Sequence, residues 1–210
     1  MLVDDALATT FDEVDSVTST HRTLTDGSTV MRRSVVDGEP QCHMHVSDGR
    51  RSIDLLLNDS GRYTRGNEEA FRWTRRQGAD VTPEQIEERA DRWVKRSNPL
   101  ATDLLREDVC DPKAQRTILE EKLLAPKNLK DMEKQDGAVN GQETTKLIFS
   151  GGPDTVEVHI AAEGPPYLLK VVERGGGIWT FSDFDEPYRA ETPAESISED
   201  ELSGQAVDLV

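Results

Sequence analysis

The strongest constraint on the fold is a change of direction built into the chain every few residues. Between residues 18 and 74 apolar and polar side chains alternate, and Asp26-Gly27, Asp37-Gly38, Asp48-Gly49 and Ser60-Gly61 interrupt them roughly every 11 residues. Asp-Gly pairs reach the positive-φ conformations of tight hairpin turns, so the spacing predicts an antiparallel meander. The expected strands are 18–24, 28–36, 39–47, 51–57, 62–65 and 70–74. The same pattern returns after Met132, with strands expected at 134–139, 144–150, 155–162, 167–173 and 178–184. Asn140-Gly141, Gly151-Gly152-Pro153, Gly164-Pro165-Pro166 and Gly175-Gly176-Gly177 separate them. Val156, Val158, Ile160 and Ala162 share one face, and Thr155, Glu157, His159 and Ala161 share the other, which predicts one core face and one wet face.

Helical periods fill the remainder. Leu7, Phe11, Val14 and Val17 predict an amphipathic helix over 3–17. Thr82-Pro83-Glu84-Gln85 is a capping box with proline at the first helical position, and predicts a helix over 82–95 with Ile86, Ala90 and Trp93 on one side. Asp111-Pro112 opens a third, over 111–125, with Ile118, Leu119, Leu123 and Leu124 as its apolar residues.

The order is therefore helix, about six strands, two helices and about five strands: an α+β domain spanning 1–195. The stretch 196–210 reads as an acidic, flexible tail. An antiparallel sheet of about 10–11 strands does not stay flat. It is expected to curl into a half-barrel wrapped around the helices, leaving a concave apolar space of the kind that holds ligands. The residues expected to line it are Ile53, Leu55 and Leu57 from the sheet and Ile118, Leu119 and Leu123 from the helix, with Trp93 and Trp179 as walls. Leu56 breaks the alternation and leaves the register of its strand open.

Charge narrows the partners. Twenty-five basic against 41 acidic residues give a net charge of −16, which opposes nucleic acid and anionic lipid surfaces alike. Apolar runs are too short for a membrane helix, which needs about 18 residues or more. No signal peptide is visible, so either the chain is cytosolic or an export segment has been cut away ahead of Met1. Cys42 and Cys110 are the only cysteines, outside any CxxC or metal spacing, and fit a bridge and two separate buried thiols equally well.

Candidate chemistry is sparse. His43 and His45 lie on one side of a strand and, with His21, suggest a metal site. Cys42 faces the other way and no acidic residue stands at an obvious partner spacing, so no metal is expected. The glycine runs at 151–152 and 175–177 open no helix and read as turns rather than phosphate loops. Asp183, Asp185 and Glu186 read as a turn near Pro187. No catalytic residue and no cofactor is expected.

Five segments together resemble one family: Ala70-Phe71-Arg72-Trp73 with Trp93-Val94-Lys95; Val109-Cys110-Asp111-Pro112; Val139-Asn140-Gly141-Gln142; Pro166-Tyr167-Leu168-Leu169-Lys170-Val171; and Phe181-Ser182-Asp183-Phe184-Asp185-Glu186-Pro187. In this order, over roughly residues 5 to 195, they resemble actinobacterial (Streptomyces-type) surface lipoproteins of the LolA-like, LppX/LprG-related family. The resemblance implies a LolA-like half-barrel, exported and anchored to the cell membrane by a lipidated N-terminal cysteine outside the sequence as given. It implies a Cys42–Cys110 disulfide, which would close a loop of about 69 residues and contribute roughly 4 kcal/mol. The function so implied is that of a monomeric, extracytoplasmic, non-enzymatic domain that binds or carries a lipid or acyl chain. The alternative is an interaction or sensor domain that meets an envelope protein and holds no small molecule.

Overall fold

The computed structural model describes residues 2–23, 28–35, 41–78, 81–96, 110–123, 131–150, 155–173 and 175–202. These residues form an α+β protein with twelve strands in one mixed sheet and four α-helices. The first meander comprises β1 (Ser16–Arg22), β2 (Thr29–Val35), β3 (Cys42–Ser47), β4 (Ser52–Asn58), β5 (Gly61–Gly66) and the short β6 (Val94–Arg96). The second comprises β7 (Asp131–Val139), β8 (Gln142–Ser150), β9 (Thr155–Ala161), β10 (Leu168–Val172) and β11 (Ile178–Ser182). A last strand, β12 (Ile197–Ser198), pairs parallel with β6. The order across the sheet is β12-β6-β5-β4-β3-β2-β1-β11-β10-β9-β8-β7. Two meanders are thus zipped together along β1 and β11, and the chain crosses from one edge to the other between β6 and β7.

Helices α1 (Leu2–Phe11), α2 (Glu68–Arg76), α3 (Pro83–Arg89) and α4 (Pro112–Leu123) supply the apolar cover. Cross-strand partners share a face, and the register runs unbroken across the middle of the sheet: Leu55 with Met44, Met44 with Arg32, Arg32 with Ser19, Ser19 with Phe181. Along that face the core divides into two clusters. Over the C-terminal half, α1 residues Val3, Ala6, Leu7 and Phe11 and α4 residue Leu119 pack on Leu147, Val158, Ile160, Val171, Trp179 and Phe181. The Phe11 ring meets Phe181 edge-on, with centroids 5.5 Å apart. Over the N-terminal half, Ala70 and Phe71 of α2 and Ile86 of α3 pack on Cys42, Met44, Ile53 and Leu55.

Several expectations change. Residues 70–74 are helical, not a strand: the Asn67 side chain caps α2 by accepting from the Ala70 N–H at 2.9 Å. Glu68 and Glu69 in the first turn and Arg75 and Arg76 in the last favour its dipole. The helix expected over 3–17 stops at Phe11, because Ser16–Arg22 is taken up as the central strand β1. The helix expected over 82–95 stops at Arg89, where Asp91 turns to φ 60° and donates its N–H to Gly66 O at 2.8 Å. Trp93 therefore lies outside the helix, and Val94–Arg96 becomes a strand beside β5. The third helix is described as Pro112–Leu123, and residues 124–125 of its expected span lie outside the described residues. The sheet has twelve strands rather than 10–11. The tail expected from 196 instead opens with β12 and a 3₁₀ turn, Glu199–Glu201, with Leu202 buried; residues 203–210, like the turns at 26–27, 37–38 and 151–153, lie outside the described residues.

The opposite face also differs between the halves. After β11 the chain runs back as a strap across the outside of β1 to β6. Asp185 N–H bonds Ser16 O at 3.1 Å, Arg33 pairs with Glu186 at 3.3 Å, and Asn58 donates to Ala190 O at 2.9 Å. Beneath the strap, Leu56, Tyr63 and Ala190 form a third cluster, joined by Trp93 and Tyr188. This settles the register left open at Leu56: it faces the strap, while Ile53, Leu55 and Leu57 face the helices.

Candidate functional site

Helix α4 ties the two halves of the helix face together. Cys110, just before it, is bonded to Cys42 of β3, with Cα atoms 5.6 Å apart. Gln115 lies over β1, where the Ser19 hydroxyl donates to its Oε1 at 2.8 Å. Leu119 is fully buried in the cluster of the C-terminal half. At the seam between the two clusters the side chains become polar: Ser19 and Arg32 are cross-strand partners, and Ser34 lies two residues along β2 on the same face. Ser34 and Gln115 are each 1% exposed. Ser34 Oγ, Arg32 Nε and Gln115 Nε2 are buried, and among the described residues they have no hydrogen-bond partner. Desolvation brings the Arg32 pKa down to about 10, and among the described residues no carboxylate pairs with it.

The expected lining residues fall into separate groups. Leu119 and Trp179 share the C-terminal cluster. Ile53, Leu55 and Leu57 share the N-terminal one. Trp93 is on the opposite face, 4.6 Å below the Arg65 guanidinium. Ile118 is exposed. Leu123 is the last described residue of α4, and its side chain lies outside the described residues. Trp179 carries a stacked neighbour, His21, at 4.1 Å between ring centroids, and donates its indole N–H to Glu173.

The histidines do not meet. His21 sits on the helix face, while His43 and His45 sit under the strap side of β3, and among the described residues no group of three potential ligands could hold a metal ion. An acidic partner absent from the sequence reading joins them. Asp54, buried on β4, accepts from His45 Nδ1 at 2.9 Å, His43 Nε2 at 3.2 Å and Arg65 Nε and Nη2 at 3.1 and 3.0 Å. Burial works to raise the Asp54 pKa, but the bonds from the two imidazoles and Arg65 outweigh it and hold the carboxyl well below the usual range. With these four bonds accepted, Asp54 acts as a clasp that positions its neighbours. A polar residue inside the apolar run 53–57 was the available signal; the partner could not be named without the register His45 to Asp54.

Two surface grooves flank these features. One of about 490 Å³ lies between α2 and α3, lined by Glu68, Arg72, Arg75, Arg76, Pro83 and Ile86. Another, of about 400 Å³, lies along the strap from Gln41 to Thr192 and is mainly polar. Among the described residues, no helix is long and apolar enough to cross a membrane.

No protein-family model matches the chain, and no curated protein matches it. Among solved structures, PNGF-II in a C2 crystal form is 10% identical with a TM-score of 0.28, covering 89% of this chain and 31% of that one. The crystal structure of MucB is 14% identical with a TM-score of 0.29, covering 98% of this chain and 62% of that one. The chain thus spans less than two thirds of either neighbour, and likenesses this slight carry over neither fold nor function.

Proposed function

We propose that this is a ligand-holding domain of the cell envelope, in which the sheet curls around its helices as a half-barrel and an acyl chain lies between them. The observation that supports this most is the division of the helix-side core. One continuous sheet face carries two separate apolar clusters, which among the described residues are bridged by Cys110 and the helix α4 that follows it. A domain packed for rigidity alone buries one continuous core, whereas a carrier keeps a space into which a chain can enter. The Cys42–Cys110 bond supports a compartment outside the reducing cytosol. The resemblance to LolA-like envelope lipoproteins supports the same reading.

The test is organic extraction of the purified, oxidised protein, with native mass spectrometry of the intact chain alongside. A stoichiometric acyl-bearing amphiphile is the expected result. A mass equal to the bare chain less two hydrogens, with no uptake of a fluorescent fatty acid, overturns the reading.

A second reading, docking of an envelope protein without a small ligand, has its own observation. Strand β7 is an open edge, exposed from Asp131 to Asp136, with Met132 60% exposed. An open edge can take an added strand from a partner, though Asp131, Glu133, Lys134 and Asp136 are charges that discourage random pairing. Retained partner capture after Lys134→Pro would remove this reading.

A further inference from the structure

We propose that the polar seam formed by Arg32, Ser34 and Gln115, with Gln115 oriented by Ser19, is the recognition site for an oxyanion, the carboxylate or phosphate headgroup of the amphiphile held between sheet and helices. The proposal rests on the ligand-holding reading above and supplies its polar end.

The argument is one of unmet hydrogen bonds. Buried donors are satisfied in folded proteins, and each exception needs an explanation. Among the described residues, Arg32 Nε, Ser34 Oγ and Gln115 Nε2 are such exceptions, the first two on one face of β2 and the third on the helix bonded to the neighbouring Ser19. Ser19 donates to Gln115 Oε1, which fixes the carboxamide and leaves its Nε2 hydrogens unused. Arg32 Nε and the Ser34 hydroxyl, on the same face of β2, are also unused. Guanidinium and carboxamide N–H groups only donate, and the hydroxyl can donate too, so the missing group is an acceptor. A buried water could accept from one or two of them. It would not offset the charge of Arg32, which no carboxylate among the described residues neutralises and which is costly to desolvate alone. An anionic oxygen does both, and a guanidinium beside two neutral donors is the set that takes carboxylate or phosphate.

Position supports the same assignment. The seam lies between two apolar clusters, under the first turn of α4, with Met44 flanking Arg32 on β3. A headgroup held at Arg32 would send its chain along one cluster or the other.

The experiment uses the oxidised full chain, stripped of any lipid, and measures binding of hexadecanoate, hexadecanol and inorganic phosphate to the wild type, Arg32→Met and Gln115→Leu. The expected result is hexadecanoate tighter than hexadecanol by about tenfold or more, as for one charge-assisted pair. Arg32→Met should bring that ratio close to one and leave hexadecanol binding unchanged, and Gln115→Leu should lower it in part. Thermal melting of the apo proteins is the control for folding. Arg32→Met should melt at or above the wild-type temperature, because it removes a partly desolvated charge that no carboxylate among the described residues pairs with. A fall in melting temperature together with an unchanged ratio makes Arg32 a structural residue and overturns the proposal. Equal binding of acid and alcohol in the wild type also overturns it, and leaves the acyl-chain reading standing. Phosphate bound through Arg32 without either amphiphile keeps the oxyanion site and removes the acyl-chain reading. Binding of none of the three removes both.

Discussion

The two halves of the sheet are built from the same hairpin pattern and held by different forces. The C-terminal half relies on burial: β9 reads Thr-Val-Glu-Val-His-Ile-Ala, and its Val156, Val158 and Ile160 meet two helices. On its outer face Lys146 and His159 lie beside Glu157, and His159 is bonded to the buried Thr144. The N-terminal half has arginine and serine within its strands, as in β2, Thr-Val-Met-Arg-Arg-Ser-Val. It compensates with a disulfide, the Asp54 clasp and a strap over its outer face. A half that cannot bury enough apolar surface thus depends on covalent and polar devices.

The largest effect should come from Cys42→Ser with Cys110→Ser. The loss is expected at about 4 kcal/mol in denaturant titrations, from the entropy of the freed loop. Hydrogen exchange should speed up chiefly in β2 to β6; equal acceleration in β7 to β11 would show one cooperative unit and end the comparison. Phe11→Ala should cost about 3 kcal/mol through the cavity it leaves beside Phe181, with exchange rising first in β9 to β11. Asp54→Asn should cost about 2 kcal/mol at neutral pH, since it leaves Arg65 and both imidazoles without their anion. Because the folded-state pKa of Asp54 is depressed, its contribution is complete above the ordinary value of 3.8 and is lost as the pH falls toward the folded value. Wild type and variant should therefore converge in acid; a constant gap down to pH 2 would refute the clasp.

Tyr188→Ala tests the strap, with about 1 kcal/mol expected from loss of its contact with Arg33, 4.9 Å from the ring centroid. The effect should be confined to the N-terminal half. The smallest effect belongs to His159. Desolvation first, then Lys170 and Lys146, lower its pKa below 6.5 against the pull of Glu157. A His held neutral by the fold contributes fully above its ordinary pKa, and that contribution is lost as the pH falls through 6.5 toward the folded value. His159→Gln should flatten that part of the stability profile, and an unaltered profile would assign the slope elsewhere.

Much of the architecture was legible because it is local. Asn140-Gly141 closes the β7–β8 hairpin with both residues at positive φ, 51° and 84°, as the dipeptide requires. The Thr82 capping box forms with both of its bonds. The face of β4 that carries Ile53, Leu55 and Leu57 followed from alternation alone. The misreadings sit where a neighbouring strand or a cap overruled periodicity. Trp93 has helical spacing from Ile86 but is drawn to the strap beside Tyr63. Residues 70–74 alternate like a strand, yet Asn67 and the flanking charges start a helix.

The amino-acid sequence by itself determined the α+β class, the two meanders and most of their turns, because hairpins and caps depend on residues within a few positions of one another. Only the tertiary structure decided that β1 zips to β11, that Cys110 meets Cys42, that Asp54 gathers two histidines and an arginine, and that Arg32, Ser34 and Gln115 share one buried seam. The β1–β11 and Cys42–Cys110 pairings join segments far apart in the chain, whereas Asp54 meets its partners across adjacent strands, 9 and 11 residues away. Their register is set by which faces can be buried together, and no local pattern carries that information.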